Sequence, residues 1–206
     1  MADLLKGNSM AQTLGLEREV PQQTIRALHA ALGERLVAVV LFGSHARGEE
    51  QDESDWDLLL IAEGLQENYF DRQLFLHHLL FTCHTLPSMI ARTRQEFESH
   101  LPSLYLDIAV DGQALFDPTG YAAKRLLHLR RLIKEAGLYR DRTPAGDVWR
   151  WKTQPRGPWV MTWEKIGKTP EKRGSLLSFQ VGRYSMRRVR CGRLASPKNQ
   201  FCSRSG

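Results

Sequence analysis

Apolar positions fall into short continuous runs set between segments of helical period. Residues 36–42, LVAVVLF, are an uninterrupted Val-rich run of strand length. Such a run predicts a strand buried on both faces. Residues 55–62 predict a second strand, entered from a loop of Gly, Glu, Gln, Asp and Ser. Residues 21–32 read as a helix, with Pro21 in its first turn and Ile25, Leu28 and Leu32 three and four apart. Gly33 is placed to end it. Residues 66–84 are long enough for a helix, and Phe70, Leu74 and Phe81 are expected toward the core. Residues 87–91 are a short strand candidate, and Thr93-Arg-Gln-Glu96 is a capping-box pattern that starts another helix.

Residues 101–110 carry both periods. Leu101, Leu104, Tyr105 and Ile108 have helical spacing, while Leu104, Leu106, Ile108 and Val110 alternate as in a strand. Gly112 after Asp111 is a natural helix stop and favours the helix. Residues 113–116 then form a short strand. Residues 121–136 are the clearest helix, with Ala122, Leu126, Leu129, Ile133 and Ala136 repeating along one face and Gly137 following. The alternation in 148–152 suggests an edge strand, or a hairpin with 159–163. Residues 1–20 read as loose, and from about 165 the apolar pattern fails. Strands alternating with helices predict an α+β (α/β-like) fold, a small mixed sheet flanked by helices. The expected organisation is a main domain over 21–137, a Trp-rich extension over 138–164 packing on it, and a basic, disordered tail over 165–206.

Charge changes this picture at one end. The formal net charge of the 206 residues is +6, but residues 165–206 hold eleven Lys/Arg against one acid. The remaining 164 residues hold 18 basic and 22 acidic groups, a mildly acidic body that gives no reason to expect a polyanion partner. No stretch approaches the roughly 20 apolar residues of a membrane span. The three cysteines, Cys83, Cys191 and Cys202, form no Cys-x-x-Cys pair. With no apolar leader in MADLLKGNSM, a reducing cytoplasm is the expected location.

The chemistry is concentrated between the first two strands. Gly43-Ser44 follows the first, ten residues intervene, and Asp55-Trp-Asp57 opens the second. Asp55 and Asp57, two apart on a strand, would share a face, with Trp56 turned into packing. Paired carboxylates in an apolar frame repel unless a cation joins them. Magnesium, which prefers oxygen ligands and substrate phosphates, is the natural ion. Gly43 permits close backbone approach to a phosphate, and Ser44 supplies a hydroxyl at the start of a helical turn. Arg47 is a phosphate clamp or a structural partner for Asp55 or a nearby Glu.

The run GSHARGEEQDESDWDLLL resembles the minimal nucleotidyltransferase family, within the DNA polymerase beta-like superfamily. Gly-Ser, ten residues, Asp-x-Asp and the Ala-Arg-Gly at 46–48 carry the resemblance, which continues more weakly through residues 104–117. It implies a nucleotidyltransferase fold, magnesium, and transfer of a nucleoside monophosphate, such as AMP from ATP, with release of pyrophosphate. Asp55 and Asp57 would hold metal, and Gly43, Ser44 and Arg47 the triphosphate. Some members act as antitoxins that add AMP to a HEPN-type toxin. The family places a third carboxylate on the next core strand, where this chain has Ser88. Asp107 replaces it only if residues 104–110 are a strand; on a helix it is expected at the surface. A binding module of the same fold with weak or lost chemistry is the alternative.

Three further features are read as structural. His77, His78, His84 and Cys83 lack the spacing of a metal cluster. Trp149, Trp151, Trp159 and Trp163 are expected to cover a core edge or meet a partner rather than stack on a base. Nucleic acid would engage only through the basic tail.

Overall fold

The computed structural model describes residues 20–51, 54–81, 83, 86–143 and 146–168. The expectations for residues 1–19, His84 and the tail beyond 168 lie outside them. Residues 20–32 form helix α1. Then follow β1 (Leu36–Phe42), α2 (Gly43–Arg47), β2 (Asp57–Ala62), α3 (Tyr69–Leu80) and β3 (Ser88–Arg92). The chain continues with α4 (Arg94–Ser99), α5 (Ser103–Asp111), β4 (Gln113–Phe116) and α6 (Tyr121–Ala136). Two small hairpins close it, β5 (Leu138–Thr143) with β6 (Gly146–Trp151), and β7 (Trp159–Met161) with β8 (Ile166–Lys168).

The main sheet runs β3-β2-β1-β4. β1 is antiparallel to both neighbours and β2 is parallel to β3, so the sheet is mixed as expected. All seven residues of β1 are buried, which its unbroken apolar run requires. Alternate residues serve opposite layers. Val40, Phe42, Leu59 and Ile61 pack with Leu106 and Ile108 of α5 and Leu126 and Leu129 of α6. Val39, Leu41, Leu58 and Leu60 pack with Leu28 and Leu32 of α1 and Leu76 and Leu80 of α3. The ambiguous segment is the helix α5, with Gly112 at its C-cap. α6 ends at Gly137, whose φ of 67° is the left-handed conformation that suits glycine at a helix stop.

α3 departs from expectation in its orientation. Asn68 caps it through Phe70 N and Asp71 N, and Arg72, Leu76 and Leu80 then face the sheet. Phe70, Leu74 and Phe81, expected in the core, are exposed. The helix carries apolar residues on two faces, and what selects the buried one is Arg72. Its guanidinium donates to Gln66 O, to Ala91 O on β3 and to both carboxylate oxygens of Glu96 on α4. Glu96 also closes the predicted capping box with Thr93.

Removing one partner of a buried ion pair leaves an uncompensated charge. Because Glu96 is partly exposed, the lower end of that cost applies. Glu96→Ala should destabilise the fold by about 3 kcal/mol, read as a shifted denaturation midpoint. The guanidinium of Arg72 holds the Glu96 carboxyl below its usual range, with burial opposing. This contribution is present above the ordinary glutamate pKa and is lost as pH falls through the lowered folded value. Wild type should therefore lose stability faster than Glu96→Ala on acidification below the ordinary glutamate range.

The C-terminal hairpins also differ from expectation. Residues 146–151 pair with 138–143, not with 159–163, and Trp159–Met161 pairs instead with Ile166–Lys168. β5, with the sequence LYRDRT, is too polar to show a strand pattern. Charge pairing holds it: Arg140 Nη2 donates to Asp111 Oδ1 at 2.8 Å. Ordered structure thus runs past 165, and Ile166 is buried. Trp163 is a core residue whose indole N–H donates to Phe97 O at 2.9 Å, and Trp149 and Trp151 pack against the same cluster. Among the described residues no helix is long and apolar enough to cross a membrane.

Candidate active site

Register brings the predicted motif together at one end of the sheet. Phe42, the last residue of β1, is paired with Asp57, the first of β2. Asp57 is paired on its other side with Ser88, the first of β3. The Gly43-Ser44 turn, Asp57 and Ser88 thus stand on three adjacent strands, each step roughly 4.8 Å. By alternation Asp57 shares the phase of Leu59 and Ile61, toward α5 and α6.

Gly43 is fixed by two constraints. Its φ is +79°, and a Cβ there would lie 2.2 Å from Asp57 Oδ2 and 3.1 Å from Asp57 Cγ. The missing side chain is therefore the space the Asp57 carboxylate occupies. Ser44 follows inside α2, whose N-cap residue, Phe42, supplies no side-chain cap.

Asp55 lies outside β2, which begins at Asp57 rather than at 55, and it is exposed. The segment before the strand is held by α2 instead of by β1. His45 stacks on Trp56 with ring centroids 3.9 Å apart and planes 8° apart. Its Nε2 also lies 3.1 Å from Ser54 O. Trp56 packs inward as expected, and Asp55 is presented to solvent beside it. Ser54 is a turn residue, its hydroxyl accepting from Gln51 N at 2.8 Å.

Arg47 takes the structural-partner arrangement, with Glu49 rather than Asp55. Its Nε lies 2.6 Å from Glu49 Oε2 and its Nη1 lies 3.6 Å from Asp111 Oδ2. Arg142 of β5 also donates to Glu49, and Arg140 to Asp111. Burial opposes the Arg47 charge, but Glu49 and Asp111 outweigh it and raise its pKa. Hydrogen bonds from Arg47 and then Arg142 lower the pKa of Glu49. The Arg140 pKa is raised, first by its hydrogen bond to Asp111, with burial opposing.

Asp107 is on α5, and its Oδ1 accepts from Trp149 Nε1 at 3.1 Å and from Arg140 Nη1 at 3.4 Å. It is half-buried rather than at the surface as expected for a helix position. Burial raises its pKa while Trp149 and Arg140 pull it down. The contacts that hold it run to the β5–β6 hairpin. The sequence reading missed Glu49, Asp111, Arg140 and Arg142, which lie up to 93 residues apart in the chain. Their one sequence signal is the charge alternation of residues 138–143.

The donors suit magnesium in part. Asp55 and Asp57 offer the one or two carboxylates that Mg²⁺ takes when substrate phosphates supply further oxygens. Ser88, opposite Asp57, offers only a hydroxyl where a third carboxylate would bridge to a second ion. Among the described residues no group of three or more His, Cys, Asp and Glu could hold a metal.

Residues 25–112 match the model of the nucleotidyltransferase domain. Over 48 residues the chain is 42% identical to "Putative protein adenylyltransferase MJ1305" of Methanocaldococcus jannaschii. That match covers 23% of this chain and spans only 33% of the relative's length. A solved structure of a mutant MntA–HpeT toxin–antitoxin is 16% identical, with a TM-score of 0.42 over 56% of this chain and 86% of that one. A tri-AMPylated Shewanella oneidensis HEPN toxin in complex with an MNT antitoxin gives 14% identity and a TM-score of 0.38 over 58% and 87%. The similarity in sequence is thus to a nucleotidyltransferase domain, over residues 25–112.

Proposed function

We propose that the chain transfers a nucleoside monophosphate, AMP from ATP, to a protein hydroxyl, releasing pyrophosphate. The observation that carries this is the juxtaposition of the Gly43-Ser44 turn with Asp57. The α2 N–H groups and the Ser44 hydroxyl receive the β- and γ-phosphates. Asp57, with Asp55, would hold a magnesium ion, which would supply charge neutralisation to the phosphates. Arg47 reaches the triphosphate by exchanging Glu49 for phosphate oxygens.

The strand order supports one direction of transfer. With the leaving pyrophosphate at the β1–α2 turn and Asp57 on the neighbouring strand, an in-line attack would enter from the β3 side. Ser88 stands there, and Ile90 and Arg92 continue the same face of β3. Both line a cleft of about 450 Å³ with Glu96, His100, Leu104 and Tyr105. This cleft is where the acceptor side chain enters. Ser88 can orient the entering hydroxyl but cannot remove its proton as a carboxylate would. Following the adenylyltransferase name of the relative and the motif resemblance, the acceptor is a protein side chain, on a HEPN-type toxin partner.

The test is incubation with α-labelled ATP, magnesium and a candidate toxin. Labelled product is expected, and the Asp55→Ala/Asp57→Ala double variant should lower it at least about 10³-fold. Equal labelling by the double variant would refute the assignment. Ser88 also supports a second reading, neutralisation of the partner by binding alone. That reading requires complex formation and protection to survive the same substitutions with no label transferred.

A further inference from the structure

We infer that the Glu49 carboxylate occupies the seat of the γ-phosphate, and that Arg142 of the β5–β6 hairpin joins Arg47 on that phosphate when it displaces the carboxylate. The inference rests on the nucleotide reading of the Gly43-Ser44 turn and adds to it a second cation and a built-in competitor. One carboxylate here holds two arginines. Glu49 Oε2 lies 2.6 Å from Arg47 Nε, and Glu49 Oε1 accepts from Arg142 Nη1. Each oxygen thus takes a separate guanidinium, and guanidinium groups grip phosphate oxygens in the same way. The seat adjoins the turn. Glu49 N donates to Ser44 O at 3.0 Å. Arg47 stands three residues after Ser44 in α2, roughly 4.5 Å along the helix axis. A helical side chain leans toward the N-terminus of its helix, so Arg47 is set toward Ser44.

Charge and exposure favour the exchange. Arg140, the third arginine of the cluster, is satisfied elsewhere: it holds both carboxylate oxygens of Asp111 and also meets Asp107 and Asp147. Besides Glu49, Arg47 has a longer contact with Asp111, at 3.6 Å. Among the described residues Arg142 forms no ion pair other than that with Glu49. Two cations therefore share one negative charge at Glu49. A terminal phosphate, carrying about two, matches them better. The carboxylate is also free to leave. The Glu49 side chain is 43% exposed and that of Arg142 54%, so their pair is weak in water and Glu49 regains solvent when it opens. Arg47, at 13%, is the buried member and keeps its charge cheaply only beside an anion. Both arginines pull the Glu49 pKa down, as a seat for an anion must.

The test is calorimetric titration of the full chain with ATP and with ADP, each with magnesium. Arg142→Gln should weaken ATP by about tenfold or more, the scale of one hydrogen bond to a charged group. It should weaken ADP, which lacks the γ-phosphate, by no more than about threefold, the scale of a surface charge. Glu49→Gln breaks the same ion pair from its other side, yet should tighten ATP by about three- to tenfold, because the competitor is gone. The opposite signs separate the exchange from a merely structural role. A pair that only pinned the hairpin would make both substitutions weaken ATP, or leave it unchanged in both. Either result would overturn the inference, as would equal losses of ATP and ADP in Arg142→Gln. Glu49→Gln keeps every arginine, so it reads the exchange even where Arg142→Gln disturbs the hairpin. Wild type that binds no ATP would overturn the nucleotide reading itself, and this inference with it. Wild type that binds ATP, with both variants unshifted, would overturn this inference alone.

Discussion

A Ser88→Asp variant should transfer nucleotide about 10²-fold faster than wild type under limiting turnover, the usual contribution of a positioned general base. Ser88 is the residue of β3 paired with Asp57 across the parallel β2–β3 ladder. A carboxylate there joins Asp57 on one face at the end of the sheet, on the side from which an in-line hydroxyl must arrive. It supplies both functions that serine lacks, a proton acceptor and a third oxygen ligand for a second magnesium. Ser88 is exposed, so the new charge carries little desolvation cost. The measurement is kcat at saturating nucleotide with the acceptor varied. A gain in kcat supports the geometry; an unchanged rate would show that proton removal occurs elsewhere or does not limit turnover. Asp107→Asn serves as the companion variant. Asp107 is held by Trp149 and Arg140 on the hairpin side, and on the proposed geometry its replacement should leave kcat within about threefold of wild type.

Replacing Gly43 with alanine should cost both stability and nucleotide affinity. The added Cβ would meet Asp57 Oδ2 at 2.2 Å, and a φ of +79° is a conformation side chains rarely adopt. The conformational term alone is about 1 kcal/mol. Relief of the clash requires the Asp57 carboxylate to swing off the turn, where Phe42 and Asp57 are directly paired. Total destabilisation of about 2–4 kcal/mol is expected. Magnesium-dependent nucleotide affinity should fall by at least about 10²-fold, because the displaced group is the proposed metal ligand. Thermal denaturation and nucleotide titration read the two effects separately. Gly48→Ala is the control, since a Cβ at Gly48 meets nothing within 4 Å although its φ is +66°. It should show the conformational cost without the loss of affinity.

Much of the architecture was legible because it rests on local pattern. The unbroken apolar run of β1, the capping box at Thr93 and the apolar repeat of α6 each specify an element without tertiary information. The Gly43-Ser44 and Asp57 placement was legible for the same reason, since a turn and two strand ends fix it. What was not legible depended on partners distant in sequence. The buried face of α3 is chosen by Arg72, whose partners on β3 and α4 no local period announces. The strand Leu138–Thr143 forms because Arg140 and Arg142 find Asp111 and Glu49. The exclusion of Asp55 from β2 follows from the stacking of His45 on Trp56, a contact between a loop and a helix too short to show a period.

The ion pairs among Arg47, Glu49, Asp111, Arg140 and Arg142 connect the β5–β6 hairpin to the turn that follows β1. This arrangement makes residues 138–151 part of the candidate site's support. It also explains why the candidate phosphate clamp Arg47 is oriented by carboxylates, since a long cation beside an apolar strand needs a partner to hold one rotamer.

The central claim is that Asp57 and the Gly43-Ser44 turn together bind a metal–triphosphate. Calorimetric titration of ATP into the full chain, with and without magnesium, in wild type and Asp57→Asn, tests it most directly. Binding that requires magnesium in wild type and falls by at least about 10²-fold in Asp57→Asn is predicted. Equal affinity in the two proteins, or affinity indifferent to magnesium, would contradict the assignment.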